Sequence, residues 1–314
     1  MIEIKGLNHY YGNFHALRDL NVSVPQGSLV GFIGPNGAGK STTLRVLAGF
    51  LIPTSGEVTV AGINLFDEPL QARQVIGYMP ETPYLYREMK VDEYLMYVAR
   101  LKGIESKQAK QIAHELIERF SVQPFRRTLI GSLSKGNRQR VALAQALIGE
   151  PKILSLDEPT SALDPNSVLD IRSAIRELKG KVTVVMSSHI LSEISQICDY
   201  IIMIREGQIQ FQGGSGELYQ RGGAHIEMNL RLAHWKNEWL QPLSSLPGCK
   251  LENAEGEKLK FSIFQEDLFF NAFFQLTLDE HIPVRDMLTY SNQLEQFFKK
   301  DAEGSYEKDA SHRQ

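Results

Sequence analysis

Two cysteines in 314 residues, Cys198 and Cys249, stand far apart in the chain. Buried or idle thiols in a reducing cytosol are expected from them rather than a disulfide. No stretch approaches 18 uninterrupted apolar residues, so no bilayer-spanning helix is expected. The opening "MIEIKGLNHYYG" has no apolar run of the secretory kind, so no leader is expected there. Basic excess is missing too: 34 Lys and Arg face 37 Asp and Glu, a formal net charge of -3, which argues against a general nucleic-acid binder. There is no internal repeat, no low-complexity block and no long heptad segment. What remains is an ordinary globular composition, 42% hydrophobic and 23% charged, in a chain long enough for one large domain and a smaller one.

Along the chain, residues 1–30 alternate and are Gly-punctuated, as short strands are. From about 82 to 132 the texture is helical: Val91, Leu95, Val98 and Leu101 recur at three- and four-residue spacing, as do Ile112, Leu116 and Phe120. Between 150 and 210, the runs "KILSLDE", "KVTVVMSSH" and "YIIMI" alternate with helix-like stretches, the βαβ pattern of a parallel sheet. "REGQIQFQGG" reads as a closing hairpin turning at Gly207. The Gly-rich stretch near 214–223 predicts a linker, set at 216–223. A small α+β domain is expected over 224–300, with strands at "HIEMNLRL", "KLKFSIF" and "IPVRDML" and helices at "EDLFFNAFFQLTLDE" and "SNQLEQFFKK". The polar tail 301–314 is expected to be disordered.

Three local patterns carry chemistry. "GFIGPNGAGKST" has Gly34, Gly39, Lys40 and Ser41 at the G-x-x-x-x-G-K-[ST] spacing, after a strand and before a helix. The loop Gly34, Pro35, Asn36, Gly37, Ala38, Gly39, with Thr42 following, would turn backbone N–H groups onto phosphates. Lys40 would add a point charge at the β- and γ-phosphates, and Ser41 a hydroxyl ligand for Mg²⁺. "KILSLDEP" ends a buried strand in two acids, Asp157 to hold Mg²⁺ and Glu158 to polarise an attacking water as general base. His189 closes the next strand-like run at the same sheet edge, where it could meet a γ-phosphate. The other seven histidines show no metal-ligand spacing.

A fourth stretch, "LSKGNRQR" at 133–140, is ambiguous alone: a nucleic-acid contact, a solvated helix end, or half of a larger site. Its place in the order resolves this by resemblance. The phosphate loop, then Leu133-Ser134-x-Gly136, "ILSLDE", "SALD" and His189 resemble the nucleotide-binding domain of ABC transporters over residues 1–215. The resemblance implies a P-loop NTPase fold of ABC type (α/β, with a mixed sheet core, an antiparallel β subdomain and a helical subdomain), ATP and Mg²⁺ as cofactors, and head-to-tail pairing with a second ATPase subunit. Ser134, Gly136 and the backbone at Asn137 would then meet the γ-phosphate of the opposite ATP. "SALD", Ser161 to Asp164, would cross the seam, and Tyr11 would stack on adenine. Two positions depart from the common pattern. Lys135 stands where Gly is commoner and Asn137 replaces Gln; Lys135 either adds positive potential or points to solvent. Glu81 takes the place usually held by Gln, where it could approach Mg²⁺ or its water.

Both variants resemble a branch of bacterial exporters with a separate permease polypeptide. The C-terminal region resembles the same branch through Leu294, Glu295 and Phe298. Phe269, Phe270, Phe273 and Phe274 form a stripe expected to pack on a small sheet, a dimer or permease contact being the alternative. The implied protein is an ATP-hydrolysing exporter subunit, a homodimer held peripherally at the cytoplasmic face of the inner membrane by an integral membrane permease, with no direct nucleic-acid contact. A soluble ABC ATPase acting on nucleic acid or ribosomes is the alternative.

Overall fold

The structure is a computed structural model that describes residues 1–290 except 162, 191–192, 195–196, 216, 218–225 and 264–265. The expected linker, apart from residue 217, and the expected final helix with Leu294, Glu295 and Phe298 lie outside the described residues, as does the tail 301–314. Contacts divide the chain into two compact units, Met1–Ser215 and Gly216–Gln314. Among the described residues, no helix is long and apolar enough to cross a membrane. Both cysteines are free thiols, Cys198 buried and Cys249 partly so.

In the first unit the elements run β1 (Ile2–Tyr11), β2 (Phe14–Val24), β3 (Leu29–Ile33), α1 (Lys40–Leu47), β4 (Ser55–Val60), β5 (Ile63–Asn64), α2 (Pro69–Gln74), β6 (Ile76–Met79), α3 (Val91–Leu101), α4 (Ser106–Arg119), α5 (Lys135–Leu147), β7 (Ile153–Leu156), α6 (Pro165–Arg176), β8 (Thr183–Ser188), β9 (Tyr200–Arg205) and β10 (Gln208–Gly214). The N-terminal strands are longer than the short ones expected, because β1 buries Ile2, Ile4 and Leu7 along one face while its other face stays wet. They form an antiparallel sheet in the order β2-β1-β4-β5. The central sheet has the order β10-β9-β3-β8-β7-β6, parallel except for β10. Its middle strands read as continuous apolar runs because both faces are covered: every residue of β3, β7 and β8 is buried. The β9–β10 hairpin turns at Glu206 and Gly207, both at positive φ, as the hairpin reading expected.

The helical region differs in detail from its sequence reading. The segment before Val91 is not helical, and α5 extends the helical layer past 132. The buried face of α3 is Val91, Tyr94, Leu95 and Ala99, whereas Leu101 is exposed at the helix end. The buried stripe runs through Tyr94 and Ala99, which a count of Leu and Val alone passes over.

The second unit holds β11 (Ile226–Leu232), α7 (Leu240–Ser244), β12 (Cys249–Glu255), β13 (Lys258–Ile263), α8 (Glu266–Asp279) and β14 (Val284–Tyr290). Its antiparallel sheet has the order β12-β13-β11-β14. One face carries Met228, Leu230, Leu232, Leu259, Phe261 and Ile263, and α8 packs Phe269 and Phe273 into that core. Phe269 stacks on Phe273 with centroids 5.5 Å apart and leans on Phe261 at 5.7 Å. Phe274, at the edge of the stripe, is 50% exposed. Each fully buried Phe contributes about 1.5–3 kcal/mol.

Candidate functional site

Strand order assembles the site. β3, β8, β7 and β6 lie side by side and run the same way, so their C-terminal ends open at one edge. The phosphate loop follows β3, His189 follows β8, Asp157 and Glu158 follow β7, and Glu81 comes two residues after β6. Four segments up to 155 residues apart thus converge without any of them needing to reach.

The phosphate loop is a cradle that side chains would fill. A Cβ on Gly34 would sit 2.2 Å from the Ile204 carbonyl oxygen. Gly39, at φ 109°, caps α1 with no side chain over the helix start, so the first N–H groups and the positive end of the dipole stay open to an anion. Lys40 is 5% exposed; its Nζ donates to the carbonyls of Gly34 at 2.8 Å and Pro35 at 3.2 Å. Burial lowers its pKa, against the pull of Glu158, Asp157 and Glu81, which favour the ammonium.

The acids are held from behind. Asp157 is buried, and its Oδ1 accepts from Ser41 Oγ at 3.0 Å and Ser187 Oγ at 2.8 Å. Ser187 Oγ in turn accepts from the Glu158 N–H at 2.8 Å. Glu158 sits at φ 47°, a left-handed conformation costing about 1–2 kcal/mol for a residue with a Cβ. Its Oε1 lies 3.8 Å from Lys40 Nζ, and its Oε2 accepts from His189 Nδ1 at 2.9 Å. A carboxylate only accepts, so Nδ1 carries the proton. For His189 to donate to a second acceptor through Nε2, the ring must be doubly protonated.

These groups border a cleft of about 460 Å³ lined by Tyr11, Asn36, Gly37, Gly39, Lys40, Ser41, Thr42, Glu81, Glu158 and His189 of the expected residues. Gly34, Ala38 and Asp157 are buried and do not border it, and Pro35 is exposed outside that lining. Ser161, the first residue of "SALD", borders the cleft as well, and so do Phe14 and Ala16, which were not singled out from sequence. Phe14 pairs across the β1–β2 hairpin with Tyr11, and both rings are exposed at the rim of the cleft. The "YYGNF" hairpin held the signal, three residues past Tyr11. The bond from Ser187 was also missed, although "SSH" at a strand end announces it.

The second half of the expected site lies elsewhere. Ser134 caps α5, its Oγ accepting from Asn137 N–H at 3.2 Å, and neither Ser134, Gly136 nor Asn137 lines the cleft. Gly136 is buried against α6, where a Cβ would lie 2.6 Å from Ser167 Oγ. Arg138 donates to the Leu133 carbonyl and Arg140 pairs with Asp170, so two of the three cations in "LSKGNRQR" are spent within the fold. Lys135 is exposed.

The residues fit a nucleoside triphosphate and a divalent cation: an anion cradle with a buried Lys, a hydroxyl and carboxylate 3.0 Å apart, and an aromatic surface at the cleft's rim. Comparison agrees with that chemistry. The family model described as ABC transporter matches residues 17–161. An uncharacterized ABC transporter ATP-binding protein of Bacillus subtilis (strain 168), YxlF, is 35% identical over 241 residues, 77% of this chain and 80% of that one. The bacitracin transport ATP-binding protein BcrA of Bacillus licheniformis is 36% identical over 232 residues, 73% of this chain and 75% of its own. Among solved structures, the ATP-binding cassette MJ0796, a dimer in a post-hydrolysis state with ADP and Pi, matches with a TM-score of 0.63 at 26% identity, covering 68% of this chain and 98% of that one. With the phosphate cradle, the paired acids and these relatives in agreement, the chain belongs to the ATP-binding proteins of ABC transporters, which are ATPases.

Proposed function

We propose that two copies of this chain pair head to tail around two ATP molecules and drive a separate integral membrane permease, for export, from the cytoplasmic face of the inner membrane. The observation that carries the pairing is the incomplete cleft: the phosphate loop, Glu158 and His189 border it, while Ser134, Gly136 and Asn137 stand outside it. A signature that starts a helix, with Ser134 capping the Asn137 N–H and the positive end of the dipole beside it, suits an anion, and another copy's cleft would supply one. Support for export is the resemblance at Lys135 and Glu81, together with BcrA, a relative named for bacitracin transport.

In this reading Lys40 and the loop N–H groups hold the β- and γ-phosphates, and Tyr11 with Phe14 receives the adenine. Ser41 and Asp157 would hold Mg²⁺, with Glu81 near, and the ion would neutralise charge on the phosphate oxygens. Glu158 takes a proton from the attacking water as the bond between the γ-phosphorus and ADP breaks; His189 holds that carboxylate in line. The test is complementation. Ser134→Ala and Lys40→Ala should each hydrolyse poorly alone. Mixed in equal amounts, half of the dimers are hybrids, and each hybrid has one intact site, so activity should recover to about a quarter of the unaltered protein's. Normal hydrolysis by either variant alone refutes the shared site.

A further inference from the structure

We infer that Glu193, a buried carboxylate outside the nucleotide cleft, is a positioning residue for hydrolysis: it fastens the turn carrying Glu158 to the turn carrying His189. The inference rests on the proposed role of Glu158 as base. Glu193 is 9% exposed, and a carboxylate at that depth needs both charge pairing and hydrogen bonds. Three segments provide them. Thr160, two residues past Glu158, donates its hydroxyl to Glu193 Oε2 at 2.8 Å. Ser188, the residue before His189, reaches the same oxygen at 3.3 Å. Arg172 of α6 lies 3.1 Å from Oε1 through Nη2.

Each bonded residue anchors its own turn. Ser188 Oγ accepts from the Ile190 N–H at 3.0 Å, closing the chain around His189. Ser161 N–H donates to the Glu158 carbonyl at 3.1 Å, closing the turn that contains Thr160. The two turns meet a second time at the His189–Glu158 bond. That bond is made by an imidazole 47% exposed, where water competes for both partners. The buried link through Glu193 has no such competitor, so it sets the spacing that the exposed link uses. Base catalysis depends steeply on that spacing: a misplacement of about 1 Å costs on the order of 10²-fold. The same carboxylate ties both turns to α6, whose Ser167 abuts Gly136, so the cleft and the signature share one support.

Glu193→Ala in the full chain should lower kcat for ATP hydrolysis by about 10- to 100-fold while ATP affinity stays within about 3-fold. Glu193→Gln should lose less, because Ser and Thr hydroxyls can turn and accept from the amide. A purely structural Glu193 would serve only to neutralise Arg172, and two further variants separate the roles. Arg172→Leu with Glu193→Leu removes both charges together; Thr160→Val with Ser188→Ala keeps the ion pair and cuts both links. With unaltered melting temperatures, each should still lose at least about 10-fold in kcat. Wild-type kcat in either folded double variant overturns the inference. So does a loss in Glu193→Ala no larger than its unfolded fraction. Glu158→Gln is measured alongside: normal hydrolysis there sinks the base assignment, whereas an inactive Glu158→Gln beside fully active Glu193 variants sinks the positioning role alone.

Discussion

Gly136→Ala tests whether the signature glycine is glycine for a ligand or for the fold. The added Cβ would stand 2.6 Å from Ser167 Oγ and 3.1 Å from Ser167 Cβ. The hydroxyl can rotate away, but it donates to Asp164 Oδ2 at 2.6 Å, and turning forfeits that bond. That bond is exposed, where water can replace it, so its loss adds little. The contact with Ser167 Cβ stays tight after rotation and forces α5 and α6 apart by a few tenths of an ångström, about 1 kcal/mol of overpacking. Ala gains roughly 0.5–1 kcal/mol over Gly inside a helix. The net is a destabilisation of up to about 1 kcal/mol, a fall in melting temperature of at most about 4 °C for a unit of this size. Ser167→Gly removes both opposing atoms, so Gly136→Ala should cost little in that background, a coupling of about 1 kcal/mol or more in a double-mutant cycle. Melting and ATP hydrolysis are both followed. Gly136→Ala as stable as the parent, with coupling near zero, refutes the packing argument. Stability restored in the double variant without hydrolysis assigns Gly136 a second duty at the opposite nucleotide.

Glu158→Gln should cut turnover by about 10²- to 10⁴-fold and leave ATP binding intact; near-normal single-turnover hydrolysis would discard the general base. Tyr11→Ala and Phe14→Ala should each weaken binding of ATP and ADP more than that of inorganic triphosphate, read by competition; equal losses would remove the stacking surface. His9 is buried beside Tyr11, ring centroids 4.6 Å apart, with neither ring nitrogen hydrogen-bonded, and burial lowers its pKa. The unfolded chain therefore takes up a proton at a higher pH than the folded one, so the contribution of His9 is complete above about pH 6.5 and declines as the pH falls below it. His9→Phe should shrink the drop in melting temperature between pH 7.5 and 5.5; an unchanged drop would clear His9 of any part in it.

What the amino-acid order determined by itself is the local chemistry. Gly34 to Ser41 is contiguous, with its backbone needs met within a few residues, so spacing alone exposes it; Asp157–Glu158 gains its meaning beside that loop, and Ser134–Gly136 was legible only through the resemblance of the whole motif order. The parallel sheet was legible as well, because strands buried on both faces must be continuously apolar. Strand β12 was not, since its exposed and half-buried residues show no such run. Only the tertiary structure decided which groups act together. The order β3-β8-β7-β6 sets four loops side by side, and long-range hydrogen bonds such as Ser187 to Asp157 and Thr160 to Glu193 have no period to betray them. It also gave Gly136 a packing reason that no local pattern shows: its missing side chain answers Ser167, a residue 31 positions away on another helix. Periodicity reports what one element does with its own faces; which element covers them depends on closure of the whole chain, and so do the packing and hydrogen bonds that hold a catalytic group in place.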